Sequence, residues 1–143
     1  MKAPSVTLRR EIVRLLKQTG LLPGPGGDSD REPLLQPLQA DGSARRFFRV
    51  FCDDRPLCLA VLPAGTAERD FAEAHAAAAI AEHLGRVDVP VPQMLGVNAQ
   101  RGILLFEDLG DCRLHDLLQR NRDEALAWYP DIVRQLARMQ VNG

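Results

Sequence analysis

Cysteine and histidine are too few and too widely spaced in this sequence to organise a fold. Cys52, Cys58 and Cys112 are an odd number, and no two of them stand in Cys-x-x-Cys spacing. His75 and His83 are two helical turns apart, whereas paired metal ligands on a helix are about four residues apart. These counts argue against a disulfide framework and a structural metal, and they favour a reducing, cytoplasmic location.

Long apolar runs and an excess of positive charge are also missing. No run approaches the roughly 20 residues that span a bilayer. The first 18 residues lack the apolar segment and cleavage site of a signal peptide. Lys plus Arg number 18 against 19 Asp plus Glu, for a net charge of −1, whereas nucleic-acid binding needs a basic excess. We therefore expect neither a membrane nor a nucleic acid as partner.

The short motifs of familiar catalytic sites are absent as well. The chain has neither the Gly-x-Ser-x-Gly of hydrolases nor the Gly-x-Gly-x-x-Gly of dinucleotide sites, and its carboxylates form no suggestive pair. Lysine does not occur after Lys17. Any function has to be sought in loops, strand ends and single charged residues.

What is present describes one globular domain of mixed secondary structure. A length of 143 residues is close to that of one domain, and 45% hydrophobic with 26% charged residues is ordinary globular composition. Helical spacing of apolar residues gives way to a Pro/Gly-rich linker, then to short β-prone runs alternating with helical patterns. The predicted elements are a helix over 6–19, a linker over 21–33, strands over 34–39, 47–52 and 56–62, a helix over 66–84, an extended segment over 87–92, a hairpin of 94–97 with 103–106, and helices over 112–121 and 124–141.

This order predicts an α+β fold in which a mainly antiparallel five-stranded sheet packs against one long helix. We expect Gly20 to end the first helix, Thr66 to cap the long helix and Gly85 to end it, and Asp111 to cap the helix after the sheet. The strand over 56–62 is nearly all apolar, which favours burial on both faces.

Two helices carry apolar stripes that we expect to face inward. That of the long helix is Ala77, Ile80, Ala81 and Leu84. That of the last helix is Leu126, Ile132, Val133, Leu136 and Met139.

The first candidate site is the turn over residues 40–46. Gly42 and Ser43 at its tip can present backbone N–H groups and a hydroxyl to an anion. Arg45 and Arg46 add positive charge suited to phosphate. The same residues also fit an ordinary hairpin with solvated arginines, and the turn alone leaves both interpretations open.

Two further candidates are Glu73 and the segment over residues 103–110. Glu73 lies on the stripe of the long helix, where a carboxylate needs a partner or open water. It is either a functional group in a nucleotide site or a residue at the edge of the apolar face. The apolar strand that ends in Glu-Asp-Leu-Gly either offers unpaired backbone groups to a flat base or continues as a plain acidic loop.

Several of these segments, taken in order, resemble a known enzyme family. The runs DGSARRFFRV, LCLAVLPAG, VPVPQMLGVN and GILLFEDLGD, with the long helix after the second, are similar to the N-terminal lobe of the aminoglycoside phosphotransferase/choline kinase family. They look most like bacterial N-acetylmuramate/N-acetylglucosamine anomeric sugar kinases, which carry a similar S-x-R-R-[YF]-F-R-V loop and L-L-L-E-D-L-G hinge. The resemblance covers about residues 6–143.

The resemblance implies a protein-kinase-like fold and an ATP-dependent transfer of phosphate to a small molecule, with an amino sugar as the expected acceptor. Residues 34–109 would be the N-terminal lobe and hinge, preceded by the helix over 1–20 and followed by the start of a second lobe over 110–143. Mg²⁺ would accompany the ATP.

The resemblance also implies roles for single residues. The loop would cover the ATP phosphates, and its residues are Asp41, Gly42, Ser43, Ala44, Arg45 and Arg46. Glu107, Asp108 and Leu109 would form the hinge, with the Glu107 carbonyl and the Leu109 amide facing adenine. Glu73 would be the long-helix glutamate that pairs with a lysine on the third strand.

The sequence departs from the family pattern in two places. The third strand, LCLAVLP, carries no lysine, and the lysine position falls near Leu62. No His-Gly-Asp sequence occurs, so the general base and the metal ligands would belong to the second lobe. We therefore expect these 143 residues to lack turnover on their own.

Two alternatives stay open. One is a freestanding kinase-like module that binds a nucleotide or a partner without chemistry and self-associates through an exposed lobe face. The other is an unrelated α+β protein with coincidental motifs.

Overall fold

The computed structural model describes residues 4–22, 32–39 and 42–142. They form an α+β fold with a five-stranded antiparallel sheet and four α-helices, in the predicted order along the chain. Most of the predicted linker and Asp41 lie outside the described residues. The elements are helices α1 (Val6–Gln18), α2 (Glu68–Arg86), α3 (Leu114–Arg120) and α4 (Arg122–Asn142), strands β1 (Leu34–Leu38), β2 (Arg46–Cys52), β3 (Arg55–Leu62), β4 (Met94–Asn98) and β5 (Ile103–Phe106), and a 3₁₀ turn over Ala99–Arg101.

The strands lie in the order β1-β2-β3-β5-β4, and each neighbouring pair is antiparallel. The β1–β2 loop and the segment after β5 therefore leave the sheet at opposite ends of their strands. The register pairs Arg49 with Leu59, and Leu59 with Phe106. Arg49 thus lies in the same cross-strand row as the last residue of β5.

Helix α1 covers one face of the sheet, which we call the α1 face. Its buried residues Ile12, Leu15 and Leu16 form one core cluster with alternate strand residues. The strand members of that cluster are Leu35, Phe48, Val50, Cys58, Ala60, Leu62, Ile103 and Leu105. The prediction of an amphipathic α1 is confirmed, and Ser5 caps it by accepting the Leu8 N–H at 3.3 Å.

The ends of α2 differ from the prediction. The N-cap residue is Ala67 rather than Thr66, and the Asp70 carboxylate accepts the Ala67 N–H at 2.9 Å. Gly85 lies within the helix, which ends at Arg86, and a turn follows because Asp88 adopts a φ of +54°. The extended segment predicted from residue 87 therefore begins two residues later.

The predicted inward stripes are wrong at several positions. Ile80 is exposed, and the buried residue of α2 is Ala74, which faces Gly102 beside the 3₁₀ turn. Helix α4 buries Ala125. Four predicted members of the α4 stripe are exposed, namely Leu126, Val133, Leu136 and Met139. Amphipathic spacing marks an apolar face but does not say what covers it, and among the described elements α4 packs mainly on α3.

Two other expectations also change. Helix α3 begins after Arg113 as its N-cap, and Asp111 instead accepts a hydrogen bond from Arg49. Strand β3 is buried only toward its end, since Arg55 and Pro56 are exposed. Among the described helices, none combines the length and the apolarity that crossing a membrane requires.

Candidate nucleotide site

A cleft of about 320 Å³ opens on the sheet face opposite α1, which we call the cleft face. Side chains alternate between the two faces of a strand, so Phe47 and Arg49 point away from the core that holds Phe48 and Val50. The lining combines apolar and charged groups. The apolar ones are Leu38, Phe47 and Leu59, and the charged ones are Arg49, Asp111 and Arg113.

Arg49 is the centre of the charged wall of the cleft. Its Nη1 and Nη2 donate to the two carboxylate oxygens of Asp111 at 2.8 and 2.9 Å, and Nη2 also donates to Asp108 Oδ1 at 3.1 Å. Its Nε lies 2.6 Å from Asp108 Oδ2 without the alignment of a hydrogen bond. This one side chain therefore ties the middle of β2 to the segment after β5.

The charged triad of Arg49, Asp108 and Asp111 is mostly shielded at its centre. The Arg49 and Asp108 side chains are 12% and 10% exposed, whereas that of Asp111 is 82% exposed. Its hydrogen bonds to Asp111 and Asp108 raise the pKa of Arg49 above its ordinary value. The hydrogen bond from Arg49 lowers the pKa of Asp111. Both shifts favour the charged forms of Arg49 and Asp111 at neutral pH.

In the segment after β5, two backbone polar groups have no backbone partner among the described residues. The Asp108 carboxylate accepts the Gly110 N–H at 2.9 Å. This hydrogen bond closes a turn that fixes the chain on either side of Leu109. The Glu107 N–H is paired with the Gln93 carbonyl at 2.8 Å. Within the described part of the chain, the Glu107 carbonyl and the Leu109 N–H have no backbone partner. These are the two groups that the resemblance assigns to adenine.

The β1–β2 loop reaches the other end of the cleft. Ser43 lines the cleft, and its hydroxyl accepts the Arg45 N–H at 3.2 Å. Gly42 has a φ of +75°, which glycine adopts at little cost. The Arg45 guanidinium lies 5.9 Å from the centre of the Phe47 ring, within range of a cation–π contact. Ser43 thus lies in the cleft wall, and Gly42, Ala44 and Arg45 are its neighbours in the loop.

Arg46 does not join them. It is the first residue of β2 and shares the strand face of Phe48 and Val50, so its side chain points to the α1 face, where Nη2 donates to the Pro63 carbonyl at 3.5 Å. The structure separates the two loop arginines that the sequence grouped together.

Glu73 and the third strand do not meet either. Glu73 is exposed and makes no hydrogen bond or ion pair with any described residue. Leu62, nearest to the family's lysine position, is fully buried in the core on the α1 face. The described residues hold no helix-to-strand ion pair of the kind that the resemblance implies.

Sequence reasoning missed Arg49, and it assigned Asp111 to a helix cap. A signal was available, because an arginine in the middle of the apolar run FFRVF needs a counter-charge once the strand is covered. The acidic run after β5 supplies it, but only the strand order shows that the two segments are neighbours.

Other groups do not extend the site. Across residues 4–22, 32–39 and 42–142, no three His, Cys, Asp or Glu side chains are grouped closely enough to hold a metal ion. Burial raises the pKa of the Cys58 thiol to about 12, with a smaller contribution from the Asp108 charge. The thiol is therefore protonated at neutral pH and unreactive.

No protein-family model, no curated protein and no solved structure matches this chain.

Proposed function

We propose that this chain is the nucleotide-binding lobe of an ATP-dependent phosphotransferase that acts on a small-molecule alcohol, with an amino sugar as the acceptor class. The motifs of the loop and hinge support this reading, as does the antiparallel sheet with a long helix between its third and fourth strands. The proposal includes membership of the kinase-like fold.

The observation that carries the proposal is the shape of the cleft. Its walls come from the β1–β2 loop, through Ser43, at one end and from the segment after β5, through Gly110 and Asp111, at the other. The two backbone groups without partners belong to that second segment, next to Gly110. A nucleotide also has two different ends, a flat base at one and a phosphate chain at the other. Pockets for ligands of this size span about 300–1,000 Å³, and the cleft falls at the lower limit of that range.

In this proposal, one end of the cleft binds adenine and the other binds the phosphates. The Leu109 N–H donates to the adenine ring, and the Glu107 carbonyl accepts from its amino group. The amides of Gly42, Ser43 and Ala44, with the Arg45 guanidinium, face the phosphates. Leu59 and Phe47 contribute apolar surface to the base and ribose.

The described residues hold no group of three or more His, Cys, Asp or Glu side chains that could bind a metal ion, and the proposal gives Mg²⁺ no ligand among them. The proposal assigns binding and orientation of the nucleotide to these 143 residues, and it assigns neither a metal ligand nor a general base to them.

The test is a calorimetric titration of the chain with ATP, with inorganic triphosphate and with adenosine. We expect saturable binding of ATP that is tighter than that of either part, because both ends of the cleft contribute. The Arg45→Gln variant is expected to weaken ATP and triphosphate but leave adenosine unchanged. An ATP affinity no greater than that of triphosphate would contradict a base-binding hinge.

A further inference from the structure

A second cavity, of about 220 Å³, lies at the α1 side of the sheet. It is formed where the start of α1, the first residue of β2, the β3–α2 connection and the 3₁₀ turn meet. Its polar lining residues are Ser5, Thr7, Glu11, Arg46, Thr66 and Arg101. The nucleotide cleft shares none of them.

Arg46 is the unusual residue of this cavity. Its Nε is buried and has no hydrogen-bond partner, and its Nη2 donates to the Pro63 carbonyl at 3.5 Å. No carboxylate in the described ranges lies within ion-pair distance of its guanidinium. The Arg46 side chain is half-buried, and a buried guanidinium N–H without an acceptor is costly, which favours an anion beside it.

Arg101 brings a second positive charge to the same cavity. Its backbone N–H is bound to Asn98 Oδ1 at 3.2 Å, while its side chain makes no hydrogen bond or ion pair to a described residue. Glu11 is the carboxylate of the lining, and it accepts from Asn98 Nδ2 at 3.3 Å rather than from an arginine. The lining thus carries two guanidinium groups and one carboxylate.

Two residues that carry hydroxyl groups, Ser5 and Thr66, share the lining with the arginines. The first turn of α1 has no acidic residue. The positive end of a helix dipole therefore adds to the charge of the arginines instead of being neutralised.

We propose that this cavity binds a phosphate group, held between Arg46 and Arg101. Guanidinium groups match phosphate oxygens in geometry and charge, and hydroxyl donors complete such sites. The volume is below the range of about 300–1,000 Å³ for larger ligands, so the occupant is inorganic phosphate or a small phosphomonoester. This inference does not rest on the proposed nucleotide function.

The test is a titration of the isotope-labelled chain with inorganic phosphate, at constant ionic strength, followed by nuclear magnetic resonance. The reporters are the Arg46 Nε–H and the amides of Gly65 and Thr66. We expect saturable shifts at all three. Arg101→Gln should raise the phosphate Kd about tenfold, the loss expected for one charge-assisted hydrogen bond. The control Arg10→Gln removes an exposed charge from α1 outside the cavity and should leave the Kd unchanged.

A second arm separates this cavity from the nucleotide cleft, and a third identifies the occupant. Arg45→Gln should not alter the phosphate shifts at Arg46, whereas their loss would place the phosphate in the cleft and overturn the proposal. Equal Kd values for the original chain and Arg101→Gln, or shifts that never saturate, would overturn it as well. Glycerol phosphate in place of inorganic phosphate shows whether the phosphomonoester binds more tightly.

Discussion

Arg49 Nε lies 2.6 Å from Asp108 Oδ2 and so joins the centre of β2 to the turn that follows β5. Asp108 uses its other oxygen to hold the Gly110 N–H, and that turn keeps the Leu109 N–H without a backbone partner. This ion pair therefore connects the sheet to the backbone groups that we assign to adenine.

Breaking this pair is expected to destabilise the fold. Arg49→Ala leaves the Asp108 carboxylate shielded and without its cation, which costs roughly 3 kcal/mol of unfolding free energy. Chemical denaturation measures the change. Arg10→Ala removes an exposed arginine of α1 and should alter stability by less than about 0.5 kcal/mol. An Arg49→Ala protein as stable as this control would show that the pair is incidental.

Asp111 contributes less because it is exposed, and its contribution depends on pH. Its pKa is lowered in the folded state, so its stabilising effect is present above the ordinary value of 3.8 and is lost as pH falls through the folded-state pKa. Asp111→Asn should therefore lower stability at pH 7 and have no effect at a pH below both values. A loss of stability that is the same at both pH values would contradict an ionic role.

The Leu109 N–H can be tested by a matched pair of substitutions. Leu109→Pro removes the amide hydrogen, whereas Leu109→Ala removes the side chain, which is 67% exposed, and keeps the amide. We expect the proline variant to bind ATP about tenfold more weakly and the alanine variant to bind it like the original chain. Triphosphate binding serves as the control and should be the same in both. Equal ATP affinities for the two variants would place adenine elsewhere.

Gly102 is expected to resist substitution. Its φ is +61°, and an added Cβ would lie 3.0 Å from Phe71 and 3.3 Å from the Cβ of Ala74. Gly102→Ala combines backbone strain with overpacking and should cost about 3 kcal/mol. Gly20→Ala has a similar φ of +74° but open space around it, so it should cost about 1–2 kcal/mol. Thermal and chemical unfolding of both variants would separate the contribution of packing from that of φ, and equal losses would exclude the close contact with α2.

The cysteines should differ in reactivity. Cys112 is exposed and Cys58 is fully buried with its pKa raised to about 12. A thiol reagent at pH 8 should modify Cys112 at once and Cys58 only on unfolding. Because the protonated thiol is favoured in the folded state, the contribution of Cys58 to stability is present below about 9 and is lost as pH rises toward 12. Modification of Cys58 in the folded chain at the rate of Cys112 would contradict this burial.

The order and type of the elements were predictable because they depend on local patterns. Alternating and helical apolar spacing marked the helices and strands, and Gly20 was correctly predicted to follow the end of α1. The start of α2 was predicted wrongly, because the Asp70 carboxylate accepts the Ala67 N–H and leaves Thr66 outside the helix.

The site was predictable only in part, since its parts come from distant segments. The loop and hinge were visible as motifs, but the sheet order brings Arg49 to Asp108, and strand alternation sends Arg46 to the opposite face from Arg45. The exposure of a side chain depends on what packs against it. Glu73 and Ile80 are therefore exposed, although their spacing predicted a buried stripe.

The most direct test of the central claim is a map of the backbone amides that respond to ATP, measured by nuclear magnetic resonance on the labelled chain. We predict saturable shifts at both ends of the cleft, over residues 42–45 and 107–110, with little change along the outer face of α1. Shifts confined to other surfaces, or no saturation at millimolar ATP, would contradict the assignment of a nucleotide to this cleft.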